Sequence, residues 1–302
     1  MDPRGARLPL LLAALAAAGA TAWDTSAQTC ERPCVGPTHG AIIVAGGGNL
    51  HDGIYEEFVR LAGGADARIV LIPTAGAEDG SHDGWTAVEE LKRVGVEKVE
   101  VLHTRSRRVA DLTAFASPLR EATGVWVSGG RGWRLVDAYL DTETHRELSR
   151  LLERGGVVGG NSAGASVLAS FLLRGGENNE LVVAPDRIEG FGLLRGVAID
   201  QHLLARARER DLLRVLEAYP HLLGIGLEEG AALLITGDLA RVMSKAVAIY
   251  DVTDPLTLIP LRWLEPGEVY DLGSRRTVLE DDGPPLVAEP FGEYDGSHLR
   301  EP

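Results

Sequence analysis

Aromatic side chains are scarce in this chain, at 5% of its 302 residues, whereas glycine occurs 37 times. Strands of β-sandwiches are enriched in aromatic and β-branched residues, so this balance favours close packing of helices on a sheet instead. The chain is 45% hydrophobic and 25% charged, which is the usual balance of a globular protein. Its length allows one large domain or two modest ones.

Positive charge is also in short supply. The 30 lysines and arginines face 44 aspartates and glutamates, which leaves a net charge of −14. Binding to nucleic acid needs a basic surface, so the composition excludes nucleic acid as a partner. An acidic balance is compatible with a cationic substrate, although many solvated surfaces are acidic.

Long apolar runs are absent except near the N-terminus, where residues 8–20 follow Arg4 and Arg7. That run is too short and too rich in alanine for a membrane span, and no other run approaches the required length. Ala20-Thr21-Ala22 supplies the small residues of a cleavage site. The pattern predicts a signal peptide and processing region over residues 1–27, with export to the periplasm or the medium.

Cysteine occurs only twice, as Cys30 and Cys34. In an exported protein such a pair suits a small disulfide loop near the mature N-terminus. C-x-x-x-C with no further cysteine and no nearby histidine pair is a poor zinc site. We therefore expect a minor structural staple here.

Five apolar segments of the first half alternate with amphipathic helical patterns, at residues 41–45, 68–74, 98–102, 124–128 and 155–160. Strands that are apolar throughout are covered by helices on both faces. We therefore expect an α/β fold with a mostly parallel, doubly wound sheet. Functional groups gather at the carboxyl ends of such strands, and the sequence places these residues there: Gly46–Gly48, Thr74, Gly129–Gly130 and Ser162.

The second half is more mixed. Further strand-like segments occur at residues 181–183, 196–199, 224–227, 231–235 and 247–250. A helical pattern over Leu203–Tyr219 interrupts them and ends before Pro220. We expect a single domain over residues 38–280, followed by a loose acidic tail over residues 281–302.

The segment Gly160–Gly164 fits G-x-S-x-G, the nucleophile elbow, in which a serine lies on a sharp strand-to-helix turn. The glycines have a physical reason, because such a turn brings backbone close to backbone and strains the φ and ψ angles of the serine. The amide that follows Ser162 then points from a helix N-terminus, where developing negative charge is stabilised. A glycine-rich turn with an incidental serine is the alternative.

A serine nucleophile needs a base, and the base needs a third group that holds its tautomer. Of the eight histidines, His202 ends an apolar run and is expected at a strand terminus, whereas the others fall in loops or on polar helix faces. Glu228 and Glu229 lie between two strand-like segments, so one of them turns towards the imidazole or both are solvated turn residues. Asp200 is the other candidate for the third group.

Several of these motifs occur together in the cyanophycinase family of serine peptidases, which are relatives of the aspartyl dipeptidases. This sequence resembles that family, in the same order and over about residues 40–250, in the segments Ala45–Gly48, Ile69–Ala75, Gly160–Ala165, Asp200–Arg208 and Gly224–Leu233. The resemblance implies an α/β fold like that of class I glutamine amidotransferases. It also implies that neither a metal nor another cofactor is needed, and it is compatible with a homodimer.

The resemblance further implies a Ser–His–Glu triad. Ser162 would be the nucleophile, His202 the general base and then the acid, and Glu229 the group that orients His202. The oxyanion donors would be the backbone N–H groups of Gly130 and Ala163. The substrate site would be lined by Asp200, Gln201 and Arg206, the arginine being suited to a carboxylate through its planar fork of donors.

One departure concerns the substrate. The family usually has Gly-Gly-Asp-Gln where this chain has Gly129–Gly132, so the Gln side chain that helps hold substrate is missing at Gly132. Arg131 replaces an acid with a base and changes the charge of the pocket. Asp211 also stands where a basic residue is common. The glycine pair of the oxyanion hole remains, so hydrolysis is expected while the substrate stays open.

These observations predict an exported serine peptidase that cleaves the β-aspartyl-arginine polymer cyanophycin to dipeptides. A peptidase for other aspartyl or isoaspartyl peptides is the close alternative. An α/β-hydrolase esterase is a further alternative, but its histidine lies late in the chain, and here the only late histidine is His298 in the tail. A non-catalytic binding protein is a third, which Ser162, His202 and Glu229 oppose and Arg131 keeps open.

Overall fold

In a computed structural model of the protein, the structure describes residues 34–76, 86–177, 181–253 and 260–279. The predicted signal-peptide region 1–27 and the tail 281–302 lie outside the described residues. Cys34 is buried and disulfide-bonded, and Cys30 lies outside the described residues. Within the described ranges, no helix combines the length and the apolar character that crossing a membrane requires.

The first half alternates strands and helices, as the sequence predicts. In chain order it contains β1 (Ala41–Ala45), α1 (Asp52–Leu61), β2 (Ile69–Ile72), α2 (Thr86–Arg93), β3 (Val99–Val101), α3 (Arg107–Ala110), α4 (Thr113–Glu121), β4 (Gly124–Val127), α5 (Gly132–Tyr139), α6 (Glu143–Glu153), β5 (Val157–Asn161) and α7 (Ala163–Leu168). Side-chain caps mark several helix starts, and Thr142 illustrates them by accepting a hydrogen bond from the His145 amide ahead of α6. Such a cap satisfies one of the amides that a helix start leaves unpaired.

The second half is mostly strands. It contains β6 (Ala169–Phe171), β7 (Leu194–Gln201), α8 (Asp211–Ala218), β8 (Leu223–Leu227), β9 (Ala232–Thr236), β10 (Leu239–Val242), β11 (Val247–Tyr250), β12 (Leu261–Leu264), β13 (Val269–Asp271) and β14 (Arg276–Val278). Residues 181–183 are not a strand. The helix expected over Leu203–Tyr219 begins only at Asp211, because residues 203–210 form turns.

The strands form two sheets, and both are mixed. The larger has the order β14-β13-β10-β9-β1-β5-β4-β2-β3. From β1 to β3 every pairing is parallel, whereas from β1 through β9 to β14 every pairing is antiparallel. The expectation of a mostly parallel sheet therefore fails outside β1–β5. The physical reason is the short connection of β9 to β10 through Gly237 and Asp238, which can only join antiparallel neighbours.

The smaller sheet has the order β12-β11-β8-β7-β6. Strands β6, β7 and β8 pair in parallel. Strand β11 then pairs with β8, and β12 pairs with β11, both in the antiparallel direction. This sheet carries β7 and the start of the β8–β9 turn. Those are the places where the sequence puts the candidate base and its carboxylate.

The parallel half of the larger sheet is buried on both faces, which explains its uninterrupted apolar strands. Along β1, Ile42 and Val44 join one hydrophobic cluster, and Ala41, Ile43 and Ala45 join another on the opposite face. Alternate residues of a strand point to opposite faces, so both faces need apolar side chains. The first cluster also takes in residues of β7, β8 and β11, so one core joins the two sheets.

Candidate active site

Ser162 lies at the junction of β5 and α7 with φ 53° and ψ −124°. A non-glycine residue in that region is strained and has to be held there by its surroundings. The flanking glycines make the turn possible, because a Cβ on Gly160 would lie 2.6 Å from the Gly164 carbonyl oxygen and one on Gly164 would lie 2.0 Å from the Val127 oxygen. The Ser162 amide donates to the Ala45 carbonyl at 2.9 Å. The sequence pattern for a nucleophile elbow is thus matched by the geometry of one.

His202 and Glu229 meet Ser162 in a continuous hydrogen-bonded chain. The Ser162 Oγ lies 2.8 Å from His202 Nε2, and His202 Nδ1 lies 2.6 Å from Glu229 Oε1. A carboxylate only accepts hydrogen bonds, so Nδ1 carries the proton that it donates to Glu229. Nε2 of the neutral ring is then left to accept from the serine hydroxyl, which is the arrangement that serine activation requires.

The electrostatic surroundings keep the imidazole in its neutral form. Burial lowers the pKa of His202 below its ordinary value of 6.5, and the nearby cations Arg206 and Arg208 lower it further, while the hydrogen bond to Glu229 acts in the opposite direction. Burial disfavours the charged ring. At neutral pH the ring is therefore unprotonated and able to take a proton from Ser162.

The second carboxylate of the β8–β9 turn has a different task. Glu228 Oε2 accepts from the backbone amides of Leu204 and Ala205, the latter at 3.1 Å. It thereby holds the chain that follows His202. The geometry places Glu229, and not Glu228, against the imidazole.

A glycine-lined loop after β1 lies over this chain of three residues. A Cβ on Gly47 would come within 2.9 Å of His202 Nε2 and 3.0 Å of Ser162 Cβ, and one on Gly48 would come within 2.8 Å of Glu229 Cβ. Both glycines also have positive φ, at 94° and 66°. Only glycine fits at either position. The sequence indicates a strand end here, but the close approach to the catalytic side chains is visible only in three dimensions.

Gly129 and Gly130 approach Ser162 from the end of β4. A Cβ on Gly129 would lie 2.8 Å from Ser162 Cβ, and one on Gly130, whose φ is 139°, would lie 2.2 Å from the Ala75 carbonyl oxygen. In the described part of the chain the Gly130 amide makes no backbone hydrogen bond. Ala163 is the first residue of α7, so its N–H has no partner within the helix. The Ala163 amide thus directly follows the serine, and Gly130 lines the same cleft as Ser162.

These residues open onto a cleft of about 870 Å³. Six of the residues predicted for the site line it, namely Gly130, Arg131, Ser162, Gln201, His202 and Arg206. Its wall also includes Asn161, Arg134, Tyr55, Glu90 and Arg93, which the sequence did not single out. Asn161 was the most accessible of these to sequence reasoning, since it directly precedes the serine of the elbow; its Oδ1 accepts from the Trp126 indole at 3.0 Å.

Asp200 does not line the cleft. Its side chain is fully buried, and Nε and Nη2 of Arg174 donate to its two carboxylate oxygens at 2.9 and 2.8 Å. The expectation that Asp200 lines the substrate site is therefore not met. Removing one member of such a buried pair leaves an unpaired charge at a cost of about 3–5 kcal/mol, so Asp200 has a structural role. Arg174 carried no recognisable signal in the sequence.

Across residues 34–76, 86–177, 181–253 and 260–279, no group of three or more histidine, cysteine, aspartate or glutamate side chains is arranged to hold a metal ion.

Comparison with known proteins gives a consistent result. The profile of Peptidase family S51 matches residues 42–243. The cyanophycinase of Trichormus variabilis is 32% identical over 280 residues, covering 84% of this chain and 92% of the relative. The cyanophycinase of Synechococcus elongatus is 30% identical over 256 residues, covering 77% of this chain and 78% of the relative.

Solved structures support the same fold. A peptidase from an acI-B1 actinobacterium superposes with a TM-score of 0.62 at 22% identity, covering 77% of this chain and 97% of the other. A peptidase E-like protein from Listeria monocytogenes superposes with a TM-score of 0.50 at 14% identity, covering 68% and 98%. The family profile and the similarity to the cyanophycinases identify the chain as a member of peptidase family S51 and a serine-type peptidase.

Proposed function

We propose that this protein hydrolyses peptide bonds through an acyl-enzyme formed on Ser162. The observation that carries the proposal is the continuous hydrogen-bonded chain from Ser162 through His202 to Glu229. His202 Nε2 takes the hydroxyl proton as the serine Oγ attacks the scissile carbonyl carbon. His202 then gives that proton to the leaving amine, and a water molecule, deprotonated by the same nitrogen, releases the acid and regenerates the serine.

Negative charge that develops on the carbonyl oxygen is stabilised in this proposal by the N–H groups of Gly130 and Ala163. Their support is positional, since Ala163 directly follows Ser162, Gly130 lines the same cleft, and neither amide donates within the backbone of the described residues. Preorganised backbone donors of this kind contribute about 3–4 kcal/mol each to transition-state stabilisation. The Ser162 amide donates to Ala45 instead, so it is not part of this proposed pair.

The proposed substrates contain aspartyl or isoaspartyl bonds. Arg206 is exposed and lines the cleft directly beyond His202, so its guanidinium is suited to a substrate carboxylate. The relatives that match are named cyanophycinases, which makes cyanophycin, the β-aspartyl-arginine polymer, the first substrate to test.

Other isoaspartyl peptides form the second candidate class. Two observations favour them: Asp200 already holds Arg174 of the same chain, and Arg131-Gly132 replaces the usual Asp-Gln.

Export, a homodimer and a glutamine-amidotransferase-like fold are also proposed for this protein. The N-terminal pattern supports export after removal of residues 1–27, the resemblance supports a homodimer, and the parallel half-sheet with its elbow after β5 supports a fold like that of class I glutamine amidotransferases.

Labelling with a fluorophosphonate probe tests the nucleophile. The wild-type protein is expected to react, and Ser162→Ala should abolish the reaction, with Ser166→Ala, one turn along the same helix, as the matched control. Labelling that persists in Ser162→Ala would contradict the assignment of Ser162 as the nucleophile.

The two neighbouring glutamates provide a test of the third group. Glu229→Gln should lower kcat by about 10³–10⁴, because a neutral amide no longer fixes the tautomer of His202. Glu228→Gln should change kcat little, since an amide oxygen still accepts from Leu204 and Ala205. Equal losses in the two variants would refute the choice of Glu229. Release of β-aspartyl-arginine from insoluble cyanophycin, measured beside hydrolysis of isoaspartyl dipeptides, decides between the two substrate classes.

The order Ser162, His202, Glu229 along the chain argues against an α/β-hydrolase esterase, in which the acid precedes a late histidine. His298 lies outside the described residues. The assembled chain of three residues likewise argues against a non-catalytic binding protein.

A further inference from the structure

A buried arginine, Arg174, pairs with Asp200, which lies two residues before His202 in the chain. Arg174 is 6% exposed. Its Nε and Nη2 donate to the carboxylate of Asp200, and Nη2 also donates to Asp211 Oδ2 at 2.6 Å. Asp200 is completely buried and Asp211 is 17% exposed. This is a planar fork shared between two carboxylates, the arrangement in which arginine bonds are strong and directional.

The two carboxylates sit at the two ends of the segment that carries His202. Asp200 is the last residue but one of β7, and Asp211 is the first residue of α8. Between β7 and α8, residues 202–210 form bends and turns. Arg174 comes from neither element but from the loop after β6, so it ties the entry of this segment to its exit from outside.

The segment needs such a tie because of the conformation at His202. Its φ is 53°, in the left-handed region that histidine seldom adopts. A residue stays there only when its surroundings impose it. The Glu229 side chain is 41% exposed, so water competes for the carboxylate that accepts from the neutral imidazole. The orientation of the imidazole therefore depends on the backbone as well as on Glu229.

The contacts of Asp200 lead directly to that backbone. Its Oδ1, which accepts from Arg174 Nε, also accepts from the amide of Gln201 at 3.0 Å. Gln201 is the residue before His202, and its carbonyl accepts from Arg208 Nη1 at 2.9 Å. A shift of the Asp200 carboxylate is thus passed to the peptide that precedes the histidine.

We propose that Arg174 is a positioning residue for His202: by clamping Asp200 to Asp211 it fixes the reversal that presents the imidazole to Ser162 and Glu229 together. The proposal rests on the proposed function, in which His202 is the base. It requires the fork and not only the charge, because a lysine ammonium cannot hold both oxygens of Asp200 and reach Asp211 in one plane.

The test compares Arg174→Lys with the wild type. The variant keeps the charge, so circular dichroism should show an intact fold, while the rate of fluorophosphonate labelling at Ser162 falls about 10- to 100-fold, as small misplacements of catalytic groups do. The downfield proton NMR resonance of the His202 Nδ1–H bonded to Glu229, assigned by its loss in His202→Gln, should weaken or disappear. Arg275→Lys is the matched control, since Arg275 bonds Asp251 at 2.6 Å away from the cleft, and it should change neither readout.

If Arg174→Lys does not fold, Arg174→Gln/Asp200→Asn removes both charges of the pair and takes its place, with the same expected losses. A folded variant with wild-type labelling and an unchanged resonance overturns the proposal. A wild-type protein that does not react with the probe overturns the proposed function instead, and in that case loss of the resonance in the variant still supports the positioning role.

Discussion

Ser162 and His202 share an uncommon feature, because both have φ 53°. Each ends a strand with a sharp reversal, Ser162 after β5 and His202 after β7. Reversal turns the side chain out of the sheet and into the cleft, at a cost in backbone strain of about 1–3 kcal/mol for each residue. The proposed nucleophile and the proposed base thus reach the cleft by the same kind of backbone reversal, from two different sheets.

At the scale of single residues, the pH dependence of the site follows from His202. Because burial and the nearby arginines lower its pKa below 6.5, the ring stays neutral, and the enzyme active, to lower pH than an exposed histidine would allow. The acidic limb of the labelling rate, like that of kcat/KM, should therefore have its midpoint below 6.5. Arg206→Met removes one of the cations that lower this pKa, so the limb should move to higher pH.

Labelling with a small probe is the appropriate measurement, since Arg206 is also proposed to bind substrate. Arg68→Met is the control, because Arg68 is 63% exposed and pairs with Glu121 outside the cleft. A limb that moves equally in both variants, or moves to lower pH in Arg206→Met, would contradict the assignment of the limb to His202.

At the scale of elements, the loop between β1 and α1 lies directly against the side chains of Ser162, His202 and Glu229. Gly47→Ala adds one methyl group 2.9 Å from His202 Nε2 and 2.7 Å from its Cε1, so the imidazole has to move. We expect labelling of Ser162 to fall by about 100-fold or more, since displacement of about 1 Å costs that much.

Gly95 provides a matched control for this substitution. It has φ 97°, against 94° for Gly47, and a Cβ there would have no neighbour within 4 Å. Gly95→Ala therefore introduces the same backbone strain, about 1 kcal/mol, without the collision. If both variants lose labelling equally at matched stability, strain and not contact would be the cause.

The elements also show which parts of the fold could be predicted from the sequence. In the first half, β1 to β5 follow the five predicted apolar segments, and helices lie between them as predicted, because strands buried on both faces are apolar throughout and the helices between them are amphipathic. The second half fails where tertiary contacts override the local pattern. Residues 203–210 have a helical pattern, yet the amides of Leu204 and Ala205 bond to Glu228 and the helix starts only at Asp211.

Some residues of the candidate site could likewise be predicted from the sequence, and others could not. Ser162, His202 and the glutamate pair were accessible because each ends or follows an apolar segment, and strand ends meet at one edge. The choice of Glu229 came from the resemblance, since the residues alone left both glutamates and Asp200 open. Arg174 was out of reach, because its partners lie 26 and 37 residues further along the chain and no periodic pattern links them.

At the scale of the whole molecule, one hydrophobic cluster joins the two sheets, from Ile42 and Val158 in the larger to Ile199 and Ile225 in the smaller. Ser162 stands on the larger sheet and His202 on the smaller, so the site exists only while both are docked. This shared core argues for the single domain predicted over residues 38–280.

The prediction that follows is cooperative unfolding. Ile225→Ala truncates a fully buried side chain of β8 and should lower the free energy of unfolding by about 2–5 kcal/mol. Because the core is shared, loss of far-UV circular dichroism and loss of probe labelling should shift together to lower temperature, in one transition. Leu112→Ala, at a side chain 55% exposed, is the control and should change the free energy by no more than about 0.5 kcal/mol. Labelling that is lost well before the circular dichroism signal would show that the sheets unfold separately, with the nucleophile on one unit and the base on another.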